Sequence, residues 1–527
     1  MRNFFKPGRS TVYAGTAAAT SHPLSTRVAI DVLRAGGNAV DAAIAAVAVQ
    51  CVVDPLMTGI GGDCFALYAP KGASVPIALN GSGRAPAATD INRFVERGID
   101  TLALDSPHAV TVPGAIAAWA KLVADYGSYP FGELLQPAIR LAEEGYRVQP
   151  RVARDWAKHA PRLQCDPVSL EIFLPDGRAP RQGDLHRQPK LAATLRKIAE
   201  GGRDAFYTGE IAQDAVARLQ EAGGVHTLED FAAAQAEYVT PITTRYRGYD
   251  IYECPPNGQG LGVLMMLNVL EGYDLSNEGL SETDRVHLFA EVSKQAYHHR
   301  DHLFADPAHH PVPVSELLSP EWAAHARSNI HMTRAAPPVV WPRVSHSDTI
   351  YLCVVDGQGN AISFINSIFH PFGSCLTAPK SGFLLHNRGA QFSLRPGHPN
   401  AIAPGKRPMH TIIPGMAMRD GKTIAPFGVM GGQYQAMGHV QLLTNIIDRG
   451  LDIQQAIEAP RSFGYNGVLE LEPEMPSGML EELVARGHDA RWAADPLGGA
   501  QVIWIDHERG VLAAGSESRK DGYADGF

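Results

Sequence analysis

The sequence predicts a mixed α/β (α+β) protein in which stacked sheets are flanked by helices. Two observations lead there. Amphipathic and alanine-rich helical runs dominate the first half of the chain, and alternating β-branched and aromatic runs dominate after residue 345. The 527 residues are 45% hydrophobic and 19% charged, enough apolar surface for one large core or two or three smaller ones. A disordered chain is excluded by the same numbers.

Residues 27–35 read as a short helix stopped by Gly36-Gly37, after which Asn38 caps an alanine-rich helix from Ala39 to about Cys51. Asp54-Pro55 ends it, and the turn Gly59-Ile60-Gly61-Gly62-Asp63 leads into a strand at 64–70. A helix opens around Pro113, with the proline in its first turn. Further helices are expected at 134–145, 210–223 and 228–238, the last capped by Thr227. Residues 305–348, rich in Pro and His, form the longest expected loop, a length that usually marks function or mobility. Then 349–356 and 360–369 read as two strands joined by Gly357-Gln358-Gly359, a β-hairpin. More strands are expected at 411–420, 424–432 and 500–506, with helices at 439–450 and 453–460. No internal repeat is visible.

The net charge of −9 is spread without long like-charge runs, which argues against nucleic acid and membrane partners. Six cysteines without CxxC spacing read as buried free thiols. Met1 to Ser10 carries Arg2, Lys6 and Arg9 but no apolar core, unlike a signal peptide. The longest apolar stretch, 39–53, is broken by Asp41 and Gln50 and is too short to span a bilayer. A soluble, cytoplasmic protein is expected.

His298 and His302 stand four apart on an expected helix, near Asp301, His309 and His310, a spacing that ligates zinc in some proteins. No glutamate follows His298, so the HExxH pattern is missing, and the expectation is that no metal is bound. The 59–63 turn lacks GxGxxG spacing, and Asn80-Gly81-Ser82-Gly83 is no GxSxG elbow, so dinucleotide and serine-hydrolase sites are not supported. No cofactor is expected. Thr349, at the mouth of a strand, is different in kind. A threonine that becomes a chain terminus brings its own hydroxyl nucleophile and its own α-amine base. That amine titrates at about 7.7–8.0, where a general base works at neutral pH.

From about residue 11 to the C-terminus the chain resembles the γ-glutamyltransferase family. The runs that carry this include RAGGNAVDAAIA, DPLMTGIGGDCF, TVPGAIAAW, GYDIYECPPNGQG, DTIYLCVVD, SGFLLHNRGAQFS, PGKRPMHTIIP, GVMGGQ and AIEAPR, in the family's order. The resemblance implies an N-terminal-nucleophile αββα four-layer sandwich, made as one chain and cut by itself between Asp348 and Thr349. Residues 1–348 would then be the large subunit and 349–527 the small one, with a dimer of that pair left open. By the same resemblance Thr349 is the nucleophile and Ser367 hydrogen-bonds its freed amine. Gly431 and Gly432 supply the oxyanion amides.

The substrate clamp departs from the family. Its carboxylate-gripping arginine is replaced by Ser82 in Ser82-Gly83-Arg84-Ala85-Pro86, and its amine-binding acid by Gln391. Its asparagine near the nucleophile is Phe369, and its paired serines are His410-Thr411. Arg84 or Arg388 is left to hold a substrate carboxylate. The expected activity is hydrolysis or acyl transfer of a small carboxylate-bearing amide through a Thr349 acyl-enzyme. A γ-glutamyl compound such as glutathione is the family default. A glutaryl-type or oxamate-like amide is the alternative the altered clamp admits. The rivals are a non-catalytic binding protein on the same fold and a metal hydrolase using His298 and His302.

Overall fold

The computed structural model describes residues 8–340 and 349–527. Two seven-stranded antiparallel sheets form its centre. In the first, neighbours run Val12–Ala14, Val511–Ser516, Gly499–Asp506, Lys422–Met430, Gly415–Arg419, Tyr249–Glu253, Ile242–Tyr246. In the second they run Tyr523–Gly526, Ala17–Thr20, Ile350–Val355, Ala361–Ser367, Asp63–Ala69, Ile77–Gly81, Glu237–Val239.

Side chains of a strand alternate between its two faces, and here both faces are covered. Tyr351, Cys353 and Val355 enter the core between the sheets with Phe65, Leu67, Met416 and Ile503. Ile350, Leu352 and Val354 face the other way, into a core built with the helices Ala39–Val53, Ala115–Tyr126 and Pro189–Tyr207. The outer face of the first sheet carries the helices Gly260–Leu270, Glu282–Leu303 and Gln435–Ile447. Helix, sheet, sheet, helix is the αββα sandwich. The sheets approach closely at Gly428, where a Cβ would lie 2.3 Å from a Tyr351 ring carbon, so only glycine admits that ring.

Ala39–Val53 is buried on every side, and its alanines let it lie flat on the second sheet. Asn38 and Asp41 close its first turn as a capping box. Several expectations need correction. The first helix starts at Pro23, with His22 as its cap, earlier than residue 27. Pro113 lies outside its helix, which begins at Ala115 after Gly114. The run 228–238 is helical only over Leu228–Ala232 and then becomes the strand Glu237–Val239. Within 305–348, residues Val314–Leu317 and Pro320–Ser328 are helices, the second opened by a Ser319 cap and a first-turn proline. Residues 341–348, Asp348 among them, lie outside the described residues. Five cysteines are buried free thiols, but Cys165 is exposed. No described helix is long and apolar enough to cross a membrane.

Candidate active site

The hairpin register places the first two site residues. Ile350 pairs with Asn366, so the next rung sets Thr349 opposite Ser367, and Ser367 pairs in turn with Asp63 on the neighbouring strand. Thr349, Ser367 and Asp63 share parity with Tyr351, Ile365 and Phe65, so all three face the space between the sheets. Thr349 Oγ1 donates to Ser367 Oγ at 3.2 Å. Ser367 Oγ also accepts from the Phe369 N–H at 2.9 Å. Phe369 adopts φ 78°, a left-handed conformation costly for an aromatic residue, which turns the chain back over the hydroxyls.

The other sheet supplies the glycines. Gly431 and Gly432 follow the strand Lys422–Met430 with φ 130° and 57°. A Cβ on Gly431 would meet the Gly498 Cα at 2.8 Å, so glycine is required twice over. The Gly431 carbonyl accepts from the Tyr434 N–H at 3.0 Å. In a trans peptide the next N–H points the opposite way, so the Gly432 N–H is turned out of that helical turn. Gln259 Nε2 holds the Gly432 and Thr411 carbonyls at 3.0 and 2.7 Å, and Arg300 Nη1 holds Gln259 Oε1 at 2.9 Å.

Arg388 is wholly buried in the short 3₁₀ turn Arg388–Gln391. Its guanidinium carbon lies 4.2 Å above the Phe369 ring, and Nη1 donates to Thr411 Oγ1 at 2.7 Å. Nε and Nη2 have no hydrogen-bond partner among the described residues. Burial lowers its pKa to about 9, with Asp63 opposing, and it stays charged at neutral pH. Arg84, by contrast, is two-fifths exposed and paired with Asp306 and Glu237, both at 3.5 Å, and with the Gly405 carbonyl at 3.0 Å. Ser82 Oγ donates to Asn80 Oδ1 at 2.7 Å. Gln391 and His410 are buried in the same region, and the Gln391 carbonyl accepts from Asn400 Nδ2 at 2.7 Å.

Asp63 is the buried anion behind these groups. Burial alone would raise its pKa, but the His386 and His410 imidazoles and the Arg388 guanidinium outweigh that and hold it at about 2. His410 Nε2 donates to it at 2.9 Å, and the Gly83 N–H at 2.9 Å. Burial holds His410 down at about 3, with Arg388 adding to the shift, so it is neutral.

The structure therefore brings Thr349, Ser367, Phe369, Arg388 and Thr411 into one connected cluster and turns Arg84 away from it into surface ion pairs. Sequence reasoning missed two members. Asp63 sat unremarked at the end of the glycine turn, and Gln435, whose Nε2 reaches Thr349 Oγ1 at 3.3 Å, lies three residues past Gly432. The histidine group fares differently. His302 Nδ1 bonds the His298 carbonyl at 2.8 Å, and Asp301 pairs with Arg300 at 2.9 Å. Three buried groups of another kind meet elsewhere, His287, Glu291 and His488, with Glu291 taken by Lys294 at 2.7 Å.

Comparison with known proteins shows the family. Residues 25–527 match the Gamma-glutamyltranspeptidase family. A glutathione hydrolase-like proenzyme, YwrD, of Bacillus subtilis (strain 168) is 37% identical over 517 residues, covering 96% of this chain and 97% of that protein. An oxamate amidohydrolase proenzyme of Klebsiella pneumoniae is 34% identical over 526 residues, covering 97% of this chain and 98% of its own. Among solved structures, a cephalosporin acylase from Bacillus halodurans superposes with TM-score 0.93 at 40% identity, over 100% of this chain and 98% of that one. By its sequence across nearly its whole length and by its αββα sandwich, this chain belongs to the γ-glutamyltranspeptidase family of N-terminal-nucleophile hydrolases.

Proposed function

We propose that the chain is a self-cutting threonine amide hydrolase whose substrates carry a carboxylate but no ammonium beside it. One observation carries the reading. Arg388 is a buried cation whose Nε and Nη2 have no hydrogen-bond partner among the described residues, three contacts from Thr349 by way of Phe369 and Ser367. A desolvated guanidinium with open donors is a receptor for a carboxylate. The position where the family binds an amine with an acid holds neutral Gln391, and Phe369 adds an apolar wall. A glutaryl-type or shorter dicarboxylic monoamide fits this lining better than a γ-glutamyl compound. Relatives named acylase and oxamate amidohydrolase support that choice.

The first reaction is self-cleavage, in keeping with relatives named proenzymes. Thr349 Oγ1 adds to the Asp348 carbonyl carbon, the C–N bond breaks, and the hydroxyl proton passes to the Thr349 nitrogen. Water then opens the ester, leaving an Asp348 carboxylate and a free Thr349. Two subunits result, 1–348 and 349–527. In the cut enzyme the α-amine takes the hydroxyl proton as Oγ1 attacks a substrate amide, and returns it to the departing amine. The Gly431 and Gly432 amides receive the oxyanion. Water, deprotonated by the same amine, releases the acid.

The test compares kcat/KM for matched glutaryl and γ-glutamyl anilides on the cut enzyme. A higher value for glutaryl is expected. A strong preference for γ-glutamyl would show that another group has replaced the family's amine clamp.

A further inference from the structure

We infer that Gln435 is a further catalytic residue of this site, its side-chain amide gripping the Thr349 hydroxyl and aiming the lone pair that attacks. This rests on Thr349 being the nucleophile, as proposed above.

The amide's orientation is determined by its surroundings. Gln435 Oε1 accepts from the Ile413 N–H at 3.1 Å, a contact that the NH₂ end cannot make. The NH₂ end therefore faces Thr349 Oγ1, at 3.3 Å, and donates to it. Oγ1 donates onward to Ser367 Oγ at 3.2 Å, which also accepts from the Phe369 N–H at 2.9 Å. A backbone N–H thus stands at each end of the row. The Ile413 donor is the one that fixes the polarity of the Gln435 amide.

An sp³ oxygen has four directions. On Thr349 Oγ1 the Cβ takes one, the hydrogen toward Ser367 a second, and the Gln435 N–H a third. Attack on an acyl carbon uses a lone pair of this same oxygen, and the Gln435 and Ser367 contacts constrain how that oxygen is turned. The same N–H serves later. When water adds to the acyl-enzyme, the C–Oγ1 bond breaks and Oγ1 leaves with the electron pair. The Gln435 N–H stabilises that charge until the α-amine returns a proton. Gln435 opens the helix Gln435–Ile447 after the 3₁₀ turn Gly432–Tyr434, so one short segment delivers both oxyanion amides and this grip.

The experiment uses the full-length chain carrying Gln435→Leu, Gln435→Glu or Thr349→Ala. Self-cleavage is followed by gel and anilide turnover is followed after cleavage. Gln435→Leu should slow self-cleavage about tenfold or more, and lower kcat about tenfold with KM within about twofold. Gln435→Glu keeps the size. Its neutral carboxyl donates and its carboxylate does not, so its self-cleavage should recover as pH falls through the carboxyl pKa. A purely structural role would give no such recovery. Wild-type rates in Gln435→Leu, or a flat pH profile in Gln435→Glu, would overturn the inference while an inert Thr349→Ala kept the nucleophile reading intact. Cleavage and turnover by Thr349→Ala would instead remove the reading on which the inference stands.

Discussion

Arg388 lays its guanidinium carbon 4.2 Å above the Phe369 ring, and neither side chain touches solvent. The pair joins a cation to the one residue whose backbone N–H holds Ser367 Oγ. In the proposed enzyme, substrate charge and nucleophile geometry are therefore coupled through a single residue. Arg388→Met should lower kcat/KM for a glutaryl anilide by about two orders of magnitude, the effect of removing one partner of a desolvated ion pair. An uncharged acyl anilide of similar length should lose much less. Steady-state kinetics on both substrates check it, and equal losses would mean that Arg388 only supports the fold.

Gln391→Asp restores an anion where an α-ammonium would sit. Selectivity should move toward γ-glutamyl donors by about tenfold, corresponding to about 1.4 kcal/mol of regained charge pairing. The readout is the ratio of kcat/KM values for the two anilides.

Thr349→Ala should stay one chain and be inactive, and N-terminal sequencing of the wild-type small fragment should begin at Thr349. Ser367→Ala should lower kcat more than it raises KM, because Ser367 contacts Thr349 Oγ1, the proposed nucleophile. The rate of the cut enzyme should rise with pH through about 7.7–8.0, as the freed α-amine loses its proton. A small fragment that starts elsewhere would reassign the nucleophile.

Asp63 gives the fold a pH dependence of known sign. Its folded pKa of about 2 is below the usual carboxylate value of about 3.9. The stabilisation, about 2–3 kcal/mol, is present above about pH 4 and is lost as pH falls through about 2. Asp63→Asn should therefore melt well below wild type at neutral pH, and the gap should narrow as the pH is lowered. Melting temperatures across that range are the measurement.

Gly62 carries no catalytic group, yet a Cβ there would lie 2.4 Å from the Ser367 carbonyl oxygen. Gly62→Ala must push the Ser367 backbone away. It should cost about 1–3 kcal/mol of stability and slow self-cleavage as well. Gly72→Ala is no control for sterics alone, because Gly72 has φ 81°. Gly262→Ala, with nothing within 4 Å, is the better comparison.

The hairpin 349–369 was legible because its glycine turn separates two β-rich runs of similar length, and its register then sets Thr349 opposite Ser367. The strand Ala17–Thr20 was not legible. Its sequence AAAT has high helix propensity and no alternation, and it becomes a strand only because neighbours on both sides pair with it. Glu237–Val239 was read as the tail of a helix for a similar reason, three residues being too few to show a period. Nor could spacing choose between Arg84 and Arg388. Nineteen positions separate Phe369 from Arg388, and only the folded chain shows one arginine buried on a ring and the other among surface carboxylates. Gln435 gave no signal at all, since a glutamine at a helix start is ordinary until its two hydrogen bonds are seen.

The proposed cut has a topological consequence. Ala17–Thr20 lies between Tyr523–Gly526 and Ile350–Val355, so a strand from before residue 348 is clasped on both edges by strands from after it. The two fragments are interwoven, like fingers of clasped hands, and neither can withdraw without tearing a sheet. Folding must come first and scission second, and the severed enzyme keeps a shape that its separate pieces never had to find alone.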